Sequence, residues 1–250
     1  MALVKPAAAQ NVVSDIPLAG GGSERVVFTS PANPTAILVM FAGGDGIVEI
    51  ADTGTIYRLS NNFLMRTQPL WLAQGFAVEI LGAPNNASLN GQRKTEAYAD
   101  AIGRAVAFAR TRASAPVWLV GTSAGTTGAA NGAARLTGRV AGLVLTSSVT
   151  RQKSGGETVF DTNLAAITVP VLIVANRRDS CIDTPPDDAA MIAAALTRSR
   201  ARRWFMWRAT RPGPGRRPAR RCRRTAISAL KLRSSSASLI GFGQRQPDKG

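Results

Sequence analysis

Residues Gly121-Thr122-Ser123-Ala124-Gly125 match the pattern G-x-S-x-G. An apolar run, Val117–Val120, enters the motif, and a small-residue segment of helical character, Ala129–Leu136, leaves it. Strand, tight turn and helix in that order lift a serine hydroxyl above the end of a sheet. The glycines on either side remove the Cβ atoms that would collide as strand and helix close on each other. The start of the helix favours negative charge developing beside it. A hydroxyl held this way can attack an electrophilic carbon once a base takes its proton. The sequence contains no histidine. Lys231 and Lys249 lie far from the motif in an unusual tail and do not replace it. The same five residues would also suit an ordinary glycine-rich turn; the strand before and the helix after favour the chemical reading.

The elements that must hold this turn are visible as apolar patterning. Arg25–Thr29 reads as a short strand, and Ala36–Phe41 (AILVMF) as a strand buried on both faces. Phe63–Gln74 has a helical pattern closed by Gly75, and Phe76–Leu81 is a further strand. Gly82–Gly91 is a loop, and Thr95–Arg112 a helix with Ile102, Val106 and Ala109 on one face. Val140–Thr146 and Val169–Ala175 read as strands. Pro185 and Pro186 open a final helix over Asp187–Thr197. Continuously apolar strands alternating with helices predict an α/β fold, a mostly parallel sheet with helices on both faces.

With Ser123 in that setting, the chain resembles the α/β-hydrolase superfamily over about Arg25 to Arg202. The resemblance implies an esterase-like serine hydrolase with Ser123 as nucleophile. It implies an oxyanion hole formed by the N–H of Ala124 and that of Gly43 or Gly44, in the loop Ala42-Gly43-Gly44-Asp45-Gly46. The family's acid follows a later strand as x-G-x-x-D. Here Val171–Ala175 leads into Asn176-Arg177-Arg178-Asp179, with Asn in place of Gly, so Asp179 takes the role of orienting a base and Asp183 is the runner-up. The alternative for Asp179 is a solvated loop carboxylate paired with Arg177 or Arg178. The resemblance implies no metal and no organic cofactor, a small-molecule acyl substrate, and a pocket shaped by Asn85 to Arg93 and by Thr150 to Leu164. The family's histidine belongs near the C-terminus, so the chain as written is expected to be impaired.

Charge sets that C-terminus apart. The chain has 31 Lys+Arg and 15 Asp+Glu, yet residues 201–250 alone hold 14 of the basic residues and a single acid, Asp248. The body is therefore close to neutral, and a basic-surface argument applies only to the tail. The expected organisation is a leader over 1–20, a hydrolase-like domain over 21–202 and an Arg-rich, disordered tail over 203–250, the last strand, His loop and helix being missing. Read one base earlier, the tail's codons admit an apolar strand around Trp204–Trp207, then a His-Gly loop and an amphipathic helix. A shifted frame near the codons for Ala201–Trp204 would account for this. The competing function is a non-catalytic hydrolase-like module whose tail, with Trp204 and Trp207, binds nucleic acid or anionic surfaces.

Other classes are disfavoured. No apolar run reaches the length of a membrane span. Two cysteines, Cys181 and Cys222, make neither a disulfide scaffold nor, without histidine, a zinc site. Ala7-Ala8-Ala9 before Gln10 resembles a cleavage site, which would place the protein in the periplasm or outside the cell if the true start lies upstream; the alternative is a frayed terminus and, as written, a cytoplasmic protein. With an upstream start Cys181 would bridge to a cysteine of the shifted frame; otherwise it is a buried, inert thiol.

Overall fold

The structure is a computed structural model, and it describes residues 10–152 and 156–207. The readings for Ala7–Ala9, Cys222, Lys231, Lys249 and most of the shifted frame lie outside the described residues.

The described strands form one eight-stranded sheet: β1 (Asn11–Pro17), β2 (Ser23–Thr29), β3 (Ala36–Phe41), β4 (Phe76–Leu81), β5 (Val117–Thr122), β6 (Gly142–Thr146), β7 (Val171–Asn176) and β8 (Arg202–Trp207). Their spatial order is β1-β2-β4-β3-β5-β6-β7-β8. Strands β3 to β8 run parallel, whereas β1 and β2 are antiparallel to their neighbours. The helices are α1 (Phe63–Ala73), α2 (Glu96–Arg112), α3 (Gly125–Arg135) and α4 (Ala189–Ala195).

All residues of β3, β4, β5 and β6 are buried, because α2, α3 and α4 cover one side of the sheet, α1 and the segment before it pack on the other, and alternate side chains feed two cores. Val26, Phe28, Ile37, Val39, Leu119, Leu143 and Ile173 face α2, α3 and α4, while Val27, Leu38, Met40, Val78 and Ile80 face α1. Thr95 caps α2, its hydroxyl accepting from the Tyr98 N–H at 3.2 Å. Tyr98, Ile102, Val106 and Ala109 then line the buried face of α2. Helix α3 is built almost wholly of Gly, Ala and Thr, so it lies close enough to the sheet to bury nine of its eleven residues.

The mostly parallel, two-faced sheet is the one expected from the sequence, with three differences. The helix after the motif begins at Gly125, not Ala129, and β5 runs on to Thr122. The final helix divides into a 3-10 turn at Pro186–Asp188 and the shorter α4. The sheet also extends past both ends of the expected 21–202 domain. Strand β1 lies within the segment read as a leader, paired along its whole length with β2. A last strand expected to be missing is present as β8, parallel to β7 from Val171↔Arg202 to Asn176↔Trp207. Both are edge strands, and edge strands need no continuous apolar run.

Candidate active site

Ser123 stands at the junction of β5 and α3. Its φ is +54°, the left-handed region that few side-chain-bearing residues adopt. The surroundings hold it there. Its N–H donates to the Thr146 carbonyl of β6 at 3.0 Å. Its carbonyl accepts from the Thr126 N–H at 3.0 Å and from the Thr126 hydroxyl at 2.6 Å. Strained backbone fixed by several neighbours is a mark of functional sites. The motif glycines are required by close approach. A Cβ on Gly121 would lie 2.7 Å from the Thr126 Cα, and one on Gly125 would run into the carbonyls of Phe41 and Ala42 at the end of β3.

The loop after β3 packs against the serine. A Cβ on Gly43 would come within 2.8 Å of the Ser123 Cβ and 3.4 Å of its Oγ, so only glycine lets this backbone lie beside the hydroxyl. A turn follows, in which the Gly46 N–H donates to the Gly43 carbonyl at 3.3 Å. Asp45 braces it by accepting from the Ile47 N–H and pairing with Arg58. Ala124 is buried at the start of α3, next to Ser123.

Asp179 lies in the loop after β7. One strand, β6, separates β5 from β7, so their ends stand about 10 Å apart along the same edge of the sheet. The Asn176 Oδ1 accepts from the Arg178 N–H at 3.1 Å and closes the turn. The Asp179 N–H donates to the Asn176 carbonyl at 2.8 Å. Its carboxylate accepts from the Cys181 N–H and the Thr184 hydroxyl, both at 3.0 Å. Burial raises this carboxyl above the usual carboxylate range, and the bonds from Cys181 and Thr184 offset part of the rise. The Ser147 hydroxyl lies near enough to act in the same direction without reaching hydrogen-bond geometry. Asp183 contributes its backbone carbonyl, which accepts from the Thr150 N–H at 2.9 Å. Cys181 is a buried free thiol.

The two segments expected to shape a pocket are differently built. Arg93, at the end of Asn85 to Arg93, is 1% exposed and belongs to the interior. The segment Thr150 to Leu164, of which 153–155 lie outside the described residues, is pinned at two points. Asp188 accepts from the Thr150 hydroxyl and from Arg151 at 2.8–2.9 Å, and Glu157 is buried against Arg93. Sequence reasoning missed Ser147, which closes β6 at φ +42°, between the ends carrying Ser123 and Asp179. It also missed the Arg93–Glu157 pair. Neither has a local motif. Among the described residues no group of three or more acidic, His or Cys side chains is placed to hold a metal, and no helix is long and apolar enough to cross a membrane.

No family model matches this chain, and no curated protein matches it. Solved structures do. A cold-adapted esterase from an Arctic intertidal metagenomic library is 15% identical, with a TM-score of 0.60 over 82% of this chain and 87% of that one. An esterase from Pyrococcus furiosus is 10% identical, with a TM-score of 0.60 over 80% and 84%. An α/β serine hydrolase without a lid, from Xanthomonas campestris, is 13% identical, with a TM-score of 0.54 over 84% and 88%. The fold is the α/β-hydrolase fold.

Proposed function

We propose that this chain is built as an esterase-like serine hydrolase acting on a carboxylic ester or similar acyl bond. The supporting observation is Ser123 in left-handed backbone between β5 and α3, with Gly43 packed against its side chain. The Ser123 Oγ attacks the acyl carbon. The carbonyl oxygen becomes an oxyanion facing the N–H of Ala124 and that of Gly43 or Gly44. Collapse breaks the bond to the leaving group and leaves an ester on Ser123, which water cleaves in a second, matching step. The serine proton passes to a base and from it to the departing oxygen. In this reading Asp179 orients that base and stabilises it once protonated. With no histidine in the sequence the base comes from solvent, and turnover is lower by a factor on the order of 10^4–10^6.

The test is hydrolysis of p-nitrophenyl acetate with and without added imidazole, by the chain as it stands, by a version with the alternative C-terminal frame restored, and by Ser123→Ala in each. Imidazole should accelerate the unmodified chain in a saturable way, restoration of the frame should exceed that gain, and Ser123→Ala should abolish both. Rates indifferent to Ser123→Ala would end this reading.

A further inference from the structure

Arg93 lies just before the Thr95 cap of α2, and its side chain is among the largest fully buried ones described. Its Nη2 donates to the Gly44 carbonyl at 2.7 Å. Its Nη1 donates to the Leu89 carbonyl at 3.4 Å and approaches the Glu157 Oε1 at 3.5 Å. Glu157, also buried, accepts from the backbone N–H groups of Arg93 and Lys94 at 3.2 and 3.3 Å. Asn131 of α3 donates to the carbonyls of Arg93 and Thr95 at 2.9 and 2.8 Å. Arg93 therefore joins the loop beside Ser123 and the segment between β6 and β7 through its guanidinium, and the helix that leaves Ser123 through its backbone carbonyl.

Packing alone does not call for an arginine here. Burying a guanidinium and a carboxylate strips both of water, and an apolar pair of similar volume commonly serves stability as well or better. The loop does call for a donor. Gly43 and Gly44 are the least constrained pair of backbone units a chain can offer, and Gly44 sits at φ +64°. The peptide between them is held through its carbonyl by one long bond, from the Gly46 N–H at 3.3 Å, and without further anchoring it could rotate and redirect its N–H. A charge-assisted bond fixes the next carbonyl, that of Gly44, and the Leu89 N–H fixes the one after, that of Asp45, at 2.8 Å.

We propose that Arg93 is a positioning residue: its guanidinium, balanced by Glu157, holds the Gly43–Gly44 backbone with its N–H facing the Ser123 hydroxyl. This rests on the reading of Ser123 as nucleophile and of that loop as half of the oxyanion hole. Glu157 has a second task, since it orders the Arg93–Lys94 backbone and so aims the guanidinium.

The probe is phenylboronic acid, whose binding requires no proton shuttle. The Ser123 Oγ forms a bond to boron, its proton leaves to buffer, and boron becomes a four-coordinate anion with an oxygen where the oxyanion would lie. Boron NMR reports the tetrahedral adduct, and titration gives the affinity. In the full chain the adduct should form and should disappear in Ser123→Ala. Arg93→Met/Glu157→Gln removes donor and counter-charge together, so no unpaired buried ion threatens the fold. It should weaken boronate binding about tenfold or more. Glu157→Gln alone should weaken it less, and Arg93→Lys should lie between the double variant and the wild type. Leu136→Ala, a core truncation at the far end of α3, should lower the unfolding midpoint without changing boronate affinity. A double variant that binds boronate as the wild type does, or a Leu136→Ala that weakens it equally, overturns the positioning role. Boronate binding that survives Ser123→Ala overturns the nucleophile reading instead, and this proposal with it.

Discussion

Gly125 occupies the narrowest point of the site. Its Cα faces the last carbonyls of β3, and no flexible side chain stands there to give way. A methyl group at this position must push α3 off the sheet or push the loop after β3 away from Ser123. Gly125→Ala is expected to cost about 1–3 kcal/mol, read as a lower urea midpoint at unchanged slope. An unaltered midpoint would mean that the helix has slack the structure does not show. The residues around this point differ in how far sequence alone reveals them. The strand–turn–helix setting of Ser123 was legible because one turn, one entering strand and one leaving helix are all local. The position of Asp179 in the loop after β7 was legible through spacing from the end of that strand, although Asn176 departs from the expected glycine. Arg93 and Glu157 were not, because 64 positions separate them and only the tertiary fold brings a surface-type residue pair into the interior.

At the scale of elements, β2 and β4 carry an unusual load. Glu24 and Glu79 are fully buried on the α2 side of the sheet, and their carboxyl oxygens have no hydrogen-bond partner among the described residues. Burial pushes Glu24 up to about 8, and burial together with the Glu24 charge pushes Glu79 well up. Both are therefore protonated in the folded protein across a range where the unfolded chain, near 4.5, has released its protons. The stability they confer is fully present below about pH 4.5 and is lost as pH rises through about 8 for Glu24. Between these limits Glu24 should lower stability by about 1.4 kcal/mol per pH unit, and the raised Glu79 acts in the same direction. Urea titrations from pH 5 to 9 should show that decline, and Glu24→Gln/Glu79→Gln should flatten it. Parallel curves for the two proteins would exclude it. Sequence patterning reads such strands well where both faces are apolar: Ala36–Phe41 and Phe76–Leu81 have the expected boundaries. It reads them poorly at the margins. In β1, NVVSDIP mixes polar and apolar residues because only part of the strand is covered.

The whole molecule is asymmetric in how its sheet is covered. On one face α2, α3 and α4 pack along most of the strands. On the other, the described helix is α1, which packs on β4. Near the β8 edge of that second face, Leu172 and Val174 are half-buried and Phe205, opposite Val174, is 52% exposed. Apolar surface next to a sheet edge invites association between chains. Phe205→Lys is expected to shift the protein from aggregates toward monomer in light scattering across a concentration series. A size distribution identical to the wild type would show that this edge is not where association begins.

The strand order has a further consequence for how the chain is made. Strand β5 joins the edge left by β3, and each of β6, β7 and β8 joins the edge left by the strand before it. A polypeptide emerging N-terminus first therefore always finds its template already in place. On this side of the sheet, the order of assembly is the order of synthesis, and no strand has to wait for one still inside the ribosome.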